Sequence, residues 1–289
     1  MTIQIAAAVS PDYVDPLCVM LASLVRHLAP GERAHLHLVH HTLDAGAIGR
    51  VSALVDTTAV ALTPVHMAMA VSSPRYPAIT SVPILLAHVL PVSVERVLYL
   101  DADLLVLDDI GPLWRTPLAG RVLAAAPDQA VLRCGASHGV KGCARWGVPP
   151  GAPYLNAGVM LMDLAQWRAR DVTARVRAYM QETGDRVEFL HQEGVNAVLW
   201  DAWQPVDVRW NCLAHRPVPG MAIAHFAGRV KPWRARAGGA VGRRYREALR
   251  ALGIDEVGSR RDRLVALYDR TLRPVLYPIE HFLWEARLT

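Results

Sequence analysis

The sequence predicts an α/β fold in which helices cover both faces of a mainly parallel sheet. The stretch Ile3–Val9 is almost continuously apolar, which is typical of a strand buried on both faces. Similar apolar runs alternate along the chain with segments whose apolar residues recur at helical spacing. With 289 residues, 52% hydrophobic and 20% charged, the chain can bury a core of this kind and does not have the composition of a disordered protein.

The elements follow one another in an alternating order through the first half of the chain. After the first strand, Leu17, Met20, Leu21, Leu24 and Leu28 mark a helix. Further strands are predicted at 36–39, 60–62, 97–100, 154–164 and 222–226, and further helices at 48–55, after the proline-rich stretch 73–77, at 172–180 and at 193–200. Active sites of such sheets lie at the carboxyl ends of the strands, where the motifs should be sought.

We expect two parts, a catalytic domain over residues 1–237 and a basic, amphipathic helical extension over residues 238–289. In the extension, Leu264, Leu267, Tyr268 and Leu272 fall near one helical face among several arginines. Such a tail could rest on an anionic membrane surface, or pack on the domain or on a second subunit, so an oligomer stays open.

The charge and the cysteine content limit the classes of function that the chain can have. The formal net charge is +5, and most of the excess lies between residues 228 and 250, where a basic patch would attract phosphate groups. Apart from Trp233 and Tyr245, aromatic residues are not interleaved with this patch, so a nucleic-acid binder is not expected. The four cysteines form no C-x-x-C pair, and the chain has neither a basic leader nor an apolar run long enough to span a bilayer. We expect a cytoplasmic protein, in peripheral contact with the inner membrane face if the tail binds lipid.

An acidic pair, Asp101 and Asp103, directly follows the apolar strand 97–100. Two carboxylates beyond a strand can share one divalent cation, because hard oxygen ligands suit Mg²⁺ or Mn²⁺. The alternative is that the pair only caps a turn.

A second polar stretch runs from His225 to Trp233, again behind a predicted strand. His225 could complete the coordination of a cation, Gly228 permits a close approach of the backbone, and Lys231 carries a point charge suited to phosphate. Two further polar groups stand out, an asparagine in an apolar strand at position 156 and a cluster at 191–196.

Together these stretches resemble glycosyltransferase family 8, whose members include bacterial lipopolysaccharide α-galactosyl- and α-glucosyltransferases. The matching blocks are 98–103, 155–159 with the trailing Trp167-Arg168, 191–196 and 225–233. The resemblance covers roughly residues 3–233 and implies a GT-A fold, a Rossmann-like mixed sheet that binds nucleotide-diphospho-sugars. It implies a retaining hexosyltransferase that moves glucose or galactose from a UDP-sugar to a hydroxyl of a glycan or lipid-linked acceptor.

The resemblance also assigns roles to residues of this chain. Asp101, Asp103 and His225 would hold Mn²⁺ or Mg²⁺. The residues expected to bind the donor nucleotide are Ala7, Tyr13, Asp101, Ala102, Gly228 and Lys231. Asn156, Gln192 and Asp128 would surround the transferred sugar at the catalytic centre.

Three positions depart from the family pattern. His191 replaces the acid before Gln192, and the acid after it is Glu193. The N-terminal aspartate pair is replaced by residues 9–12, and an expected arginine falls at Ile84. A catalytically weak nucleotide-sugar-binding homologue is therefore the alternative to an active enzyme.

One further motif predicts a different enzyme class. Residues 135–139 fit G-x-S-x-G, which would make Ser137 the nucleophile of a serine hydrolase if the motif joined a strand to a helix. The glycines and prolines that follow argue against such a helix. A dehydrogenase is not expected, since no G-x-G-x-x-G follows the first strand.

Overall fold

The computed structural model describes residues 2–55, 59–68, 78–184, 190–228, 230–234 and 239–255. The strands are β1 Thr2–Val9, β2 Arg33–His40, β3 Val60–His66, β4 Arg96–Leu100, β5 Leu104–Val106, β6 Leu123–Pro127, β7 Leu155–Asp163, β8 Trp203–Pro205, β9 Cys212–Leu213 and β10 Ile223–His225. The α-helices are α1 Val14–His27, α2 Ala45–Val55, α3 Val82–Val89, α4 Gly111–Trp114, α5 Leu164–Ala169, α6 Val172–Thr183, α7 Leu190–Leu199 and α8 Gly239–Ala251.

Seven strands form the central sheet in the order β3-β2-β1-β4-β7-β6-β8. The neighbours β3, β2, β1 and β4 run parallel, and β7 runs antiparallel to both β4 and β6. Because of this reversal, the beginning of β7 lies at the same edge as the carboxyl ends of β4 and β6. Polar residues from three strands can therefore meet there.

A small second sheet lies beside that edge, with the order β5-β10-β9. Strand β10 pairs antiparallel with β5 and places His225 opposite Leu104, the first residue after the acidic pair. This pairing brings together two segments that are far apart in the sequence.

Alternate residues of the central strands contribute their side chains to two apolar layers, one on each face of the sheet. In β7, Val159 and Leu161 pack with α1 and α2, whereas Met160 and Met162 pack with α3, α5, α6 and α7. This alternation explains why the strands are apolar on both faces, and it confirms the predicted α/β architecture.

Helix α8 packs against the body of the protein. Its buried residues Val241, Tyr245 and Leu249 join a cluster that includes Phe226 and Trp233. Residues 256–289 of the expected extension, including the apolar face at 264–272, lie outside the described residues, so the division at residue 237 stays a prediction. Within the described ranges, no helix is long and apolar enough to cross a membrane.

The sequence prediction missed the strands β5, β6, β8 and β9. Strand β6 has the sequence LAAAP, and its alanines lack the β-branched or aromatic side chains that signal a strand. Strands β5, β8 and β9 have only two or three residues each and carry little periodicity.

The serine hydrolase alternative is wrong. Ser137 lies in a series of turns between β6 and β7, and the backbone on either side of the motif forms neither the strand nor the helix that a nucleophile elbow needs. Ser137 is buried, and its backbone carbonyl oxygen accepts a hydrogen bond from Lys141 Nζ at 2.5 Å.

Candidate functional site

The acidic pair lies in the tight connection between β4 and β5. The backbone N–H of Asp101 donates to the carbonyl of Gly158 at 2.9 Å, and Tyr99 Oη donates to Asp101 Oδ1 at 2.6 Å. The carbonyl of Asp103 accepts from the N–H of Phe226 at 3.1 Å. Both sheets therefore hold this turn, which aims the two carboxylates at one point.

His225 faces the acidic pair from the last residue of β10. Its Nε2 lies 3.3 Å from Asp103 Oδ1 and 3.6 Å from Asp101 Oδ2. One ligand atom from each of the three residues lies within 4.8 Å of the others. Asp103 and His225 are buried, whereas the Asp101 side chain keeps 30% of its surface exposed, so the cluster opens to solvent on the Asp101 side.

The charges of the cluster perturb one another. Burial and the neighbouring Asp103 raise the pKa of Asp101 to about 6. Burial would also raise the pKa of Asp103, but Lys231 and His225 outweigh it and hold that pKa below its ordinary value. Burial would lower the pKa of His225, yet the two carboxylates raise it above its usual range. Two carboxylates this close favour an added positive charge.

Gly158 makes room for this cluster. A Cβ built at this position would lie 2.3 Å from His225 Cε1 and 3.0 Å from Asp101 Oδ2. Any side chain here would displace both ligands. A glycine inside an apolar strand is a signal of such a close approach.

Lys231 lies on the far side of Asp103 from His225. Its Nζ donates to Asp103 Oδ2 at 2.6 Å and to the carbonyl of Phe226 at 2.8 Å, and it lies 5.7 Å from the centre of the Trp233 ring. The Trp233 ring meets the edge of Tyr13, with ring centres 5.7 Å apart. The Lys231 ammonium and the half-buried ring of Tyr13 thus lie near the carboxylates, where the sequence analysis predicts a phosphate and base site.

The other residues predicted to bind the donor can contact it mainly through their backbone atoms. Ala7 is fully buried in β1, and Ala102 is buried between the two aspartates. Gly228 has a φ of +96°, a conformation that side chains disfavour, in the turn that leads from β10 toward Lys231.

The three predicted sugar-side residues form one hydrogen-bonded group. Asn156 Nδ2 donates to Asp128 Oδ2 at 2.7 Å, and Gln192 Nε2 donates to the same oxygen at 3.3 Å. Asp128 Oδ1 accepts from the N–H groups of Ala130 and Val131 at 2.7 and 2.9 Å. The Asp128 carboxylate is thus held by four donors, which suits it to positioning other groups.

Asn211 is part of the site and was missed by the sequence analysis. It is 1% exposed, and its amide bridges His225 and Asn156, with 2.8 Å from Asn211 Oδ1 to His225 Nδ1 and 2.8 Å from Asn211 Nδ2 to Asn156 Oδ1. A single asparagine between a tryptophan and a cysteine carries no pattern that would single it out.

The positions that depart from the family pattern have distinct environments. Glu193 is fully buried and accepts hydrogen bonds from Tyr179 Oη at 2.5 Å and from the N–H of Lys141 at 3.1 Å, away from the acidic pair. Burial lowers the pKa of His191 to about 4, so its imidazole is neutral at physiological pH. Ile84 is a buried residue of α3 and packs in the apolar core.

The residues present fit a divalent cation. Two carboxylates and one imidazole are ligands that a Mn²⁺-like ion accepts, and the missing side chain of Gly158 leaves room for the His225 ring at its place in this group. Asp101, Asp103 and His225 would hold the ion.

Solved structures of other proteins share this fold. LgtC, a galactosyltransferase solved with donor and acceptor sugar analogues, superposes with a TM-score of 0.72 at 22% identity, over 86% of this chain and 96% of LgtC. The glycosyltransferase GlyE of Streptococcus pneumoniae TIGR4 gives a TM-score of 0.66 at 18% identity, over 86% of this chain and 60% of GlyE. These likenesses establish the GT-A fold.

Curated relatives and a family profile extend the comparison to sequence. General stress protein A of Bacillus subtilis (strain 168) is 31% identical over 164 residues, 49% of this chain and 54% of that protein. Probable galacturonosyltransferase-like 3 of Arabidopsis thaliana is 32% identical over 177 residues, 52% of this chain and 48% of that protein, so the chain spans about half the length of these relatives. The profile described as Glycosyl transferase family 8 matches residues 4–237, and the chain therefore belongs to glycosyl transferase family 8.

Proposed function

We propose that this protein is a retaining hexosyltransferase that moves glucose or galactose from a UDP-sugar to a hydroxyl of a glycan or lipid-linked acceptor, with Mn²⁺ or Mg²⁺ bound. The convergence of Asp101, Asp103 and His225 within 4.8 Å, with the Lys231 ammonium beside them, carries the proposal. Family membership and the likeness to the galactosyltransferase LgtC support it.

Each residue of the site has a role in this proposal. The cation, when bound, would neutralise the donor diphosphate and stabilise it as a leaving group. Lys231 would bind a phosphate oxygen, and Tyr13 would stack on the uracil ring. Ala7, Ala102 and Gly228 would contact the nucleotide through their backbone.

The hydrogen-bonded group on the other side would bind the sugar. Asn156 and Gln192 would orient its hydroxyls, with Asp128 holding both side chains in place. Retention of configuration would follow from a front-face displacement in which the leaving phosphate takes the proton of the acceptor hydroxyl. The protein then needs no strong nucleophile, and its contribution is positioning and electrostatics.

A donor-hydrolysis screen tests the proposal. Purified protein is incubated with UDP-glucose, UDP-galactose, the two UDP-uronic acids and GDP-sugars, first with Mn²⁺ and then with EDTA. We expect UDP release from a neutral UDP-hexose with Mn²⁺ and none with EDTA. Hydrolysis that is unchanged by EDTA, or confined to GDP-sugars, would contradict the proposal.

The alternative is a catalytically weak homologue that binds the nucleotide sugar. It is favoured by the neutral His191 and the buried Ile84, where the family pattern has an acid and an arginine. Calorimetric binding of UDP-glucose or UDP-galactose with Mn²⁺, without hydrolysis or transfer to any acceptor, would support this alternative.

We also propose that the tail contacts a membrane, and this part of the proposal rests on the sequence of residues 256–289 alone. Full-length protein should sediment with anionic vesicles at low salt, and a truncation ending at Arg250 should not. If the full-length protein and the truncation sediment alike, the tail is not the membrane contact, and the proposed peripheral location is wrong.

A further inference from the structure

The inference concerns Asn211, the last residue of a short 3-10 helix at Val208–Asn211 that leads into β9. Its amide is buried between His225 on β10 and Asn156 on β7. An amide has a donor end and an acceptor end, so its orientation is decided by which partners can only donate and which can only accept.

The orientation of Asn156 is decided first. The N–H of Gly158 donates to Asn156 Oδ1 at 3.0 Å, and a backbone N–H can only donate. Asn156 Nδ2 lies 2.7 Å from Asp128 Oδ2, and a carboxylate accepts. A flipped Asn156 would place two donors together at Gly158 and two acceptors together at Asp128, so its Oδ1 must be the atom that faces Asn211.

The orientation of Asn211 follows from that of Asn156. Asn211 Nδ2 lies 2.8 Å from Asn156 Oδ1 and 3.3 Å from the carbonyl oxygen of Asn156, both of which are acceptors. Its Oδ1 is therefore the atom 2.8 Å from His225 Nδ1. Because this oxygen can only accept, His225 Nδ1 must carry a hydrogen.

The consequence falls on the other nitrogen of the ring. With Nδ1 holding a hydrogen, Nε2 is the nitrogen available to a cation, and it is the one directed at Asp103 and Asp101. We propose that Asn211 is a positioning residue for the metal site: it fixes the orientation of the His225 ring and keeps Nε2 free for the cation. The inference rests on the proposed cation site and adds a residue to it.

A purely structural role for Asn211 is the competing explanation, since its amide also ties the 3-10 helix to β7. The matched control is Asn196, an equally buried asparagine that bonds Leu155 and the carbonyl of Gln192 but does not touch His225. Loss of Asn196 should cost stability without changing the His225 ring.

The first measurement is Mn²⁺ affinity in the presence of saturating UDP, read from the free-ion electron paramagnetic resonance signal. Asn211→Leu should weaken Mn²⁺ binding about 10–100-fold, the usual effect of removing a partner of a metal-bound histidine. Asn211→Asp keeps an oxygen for Nδ1–H and should recover part of this loss, since its second oxygen would face the two acceptors of Asn156. Asn196→Leu should bind Mn²⁺ like wild type, with unfolding temperatures measured for all variants.

The second measurement observes the ring directly. Long-range ¹H–¹⁵N spectra of ¹⁵N-histidine protein, assigned with His225→Gln, should show hydrogen on Nδ1 and none on Nε2 in the Mg²⁺–UDP form. In Asn211→Leu, a smaller fraction of His225 rings should carry their hydrogen on Nδ1. Once wild type is shown to bind the cation, hydrogen on Nε2 in its Mg²⁺–UDP form overturns the inference without any variant, even if Asn211→Leu does not fold.

The outcomes separate the two proposals. If wild type binds no Mn²⁺ with UDP, the proposed cation site is wrong and the inference falls with it. If wild type binds Mn²⁺ and folded Asn211→Leu binds it equally well, or no worse than Asn196→Leu, only the role of Asn211 is overturned.

Discussion

The two ends of the site differ in how completely their polar groups are paired. At the charged end, two carboxylates and an imidazole lie within 4.8 Å of one another, and Lys231 supplies a permanent positive charge beside Asp103. At the amide end, Asp128 and its partners Asn156 and Gln192 form a group in which each polar atom has protein donors or acceptors.

This difference predicts what each end does without its ligand. The charged end holds two neighbouring carboxylates whose mutual repulsion a cation would relieve, so its residues should affect ligand binding more than folding. The amide end is satisfied by the protein itself, so its residues should affect folding and geometry together. The following changes test this contrast, from the largest expected effect to the smallest.

Removing one carboxylate should have the largest effect on activity. Asp103→Asn should lower Mn²⁺-dependent donor hydrolysis by orders of magnitude, because one anionic ligand and the partner of Lys231 are lost together. The free energy of unfolding should fall by only about 1–3 kcal/mol.

The control for that change is Asp108→Asn, which removes an exposed carboxylate paired with Arg209 just beyond β5. This exposed pair should contribute about 0–1 kcal/mol to stability and nothing to hydrolysis. Near-normal Mn²⁺-dependent hydrolysis by Asp103→Asn would show that the charged end is not the metal site.

Adding a methyl group at position 158 should come next, since the added Cβ would overlap His225 and press on Asp101. Gly158→Ala should lose most Mn²⁺ affinity, measured by electron paramagnetic resonance, and cost about 1–3 kcal/mol by overpacking β7. Gly151→Ala is the matched control, because its Cβ would meet only Arg133 Nη1 at an ordinary 3.7 Å. Unchanged Mn²⁺ binding by Gly158→Ala would mean that Mn²⁺ binding does not require His225 to stay at its position beside β7.

Removing the Lys231 side chain should affect the binding of UDP and the binding of Mn²⁺ in opposite directions. Lys231→Ala should raise the dissociation constant for UDP, most visibly at low salt, because a phosphate partner is lost. Mn²⁺ binding without nucleotide should be no weaker, since Asp103 loses a competing cation.

Calorimetry at two salt concentrations measures both constants. Lys141→Ala, which removes the same charge from the turns before β7, serves as the control. Equal UDP affinity in wild type and Lys231→Ala would remove Lys231 from the donor site.

The smallest effect on ligand binding should come from Glu193, although the family pattern places an acid at this position. Glu193→Gln keeps an acceptor for Tyr179 and Lys141 and loses the charge, so stability should fall by about 1–3 kcal/mol. Mn²⁺ affinity and donor hydrolysis, measured well below the unfolding temperature, should be nearly those of wild type. A marked loss of Mn²⁺ affinity would show that Glu193 is coupled to the charged end.

The charged end could be anticipated from the sequence because its residues form short blocks directly behind apolar strands. Asp101, Asp103 and His225 were each suggested by their type and position, and the structure brings them together. The family pattern was less informative at Glu193, because neighbouring residues on a helix point in different directions, and this one points toward Tyr179.

The amide end was anticipated only in part. Asn156 was visible as the one amide in an apolar strand, but Asn211 lies in an irregular segment with no periodicity, and its role depends on contacts that arise only when β9 and β7 come together. The close approach at Gly158 could have been suspected from a glycine inside a strand, yet its partner is set by tertiary packing.

The pairing of β10 with β5 has a consequence for how the protein becomes functional during synthesis. Asp103 is made long before His225, and the two come together only through the ladder that joins His225 to Leu104 and Phe226 to Asp103. Closing so long a loop has an entropic cost that a bound ion can help to offset. A nascent chain that already contains β1 to β8 therefore has the acidic pair but lacks the complete ion site. Ion capture would be among the last events of folding, after the segment that ends near Trp233 has emerged and docked.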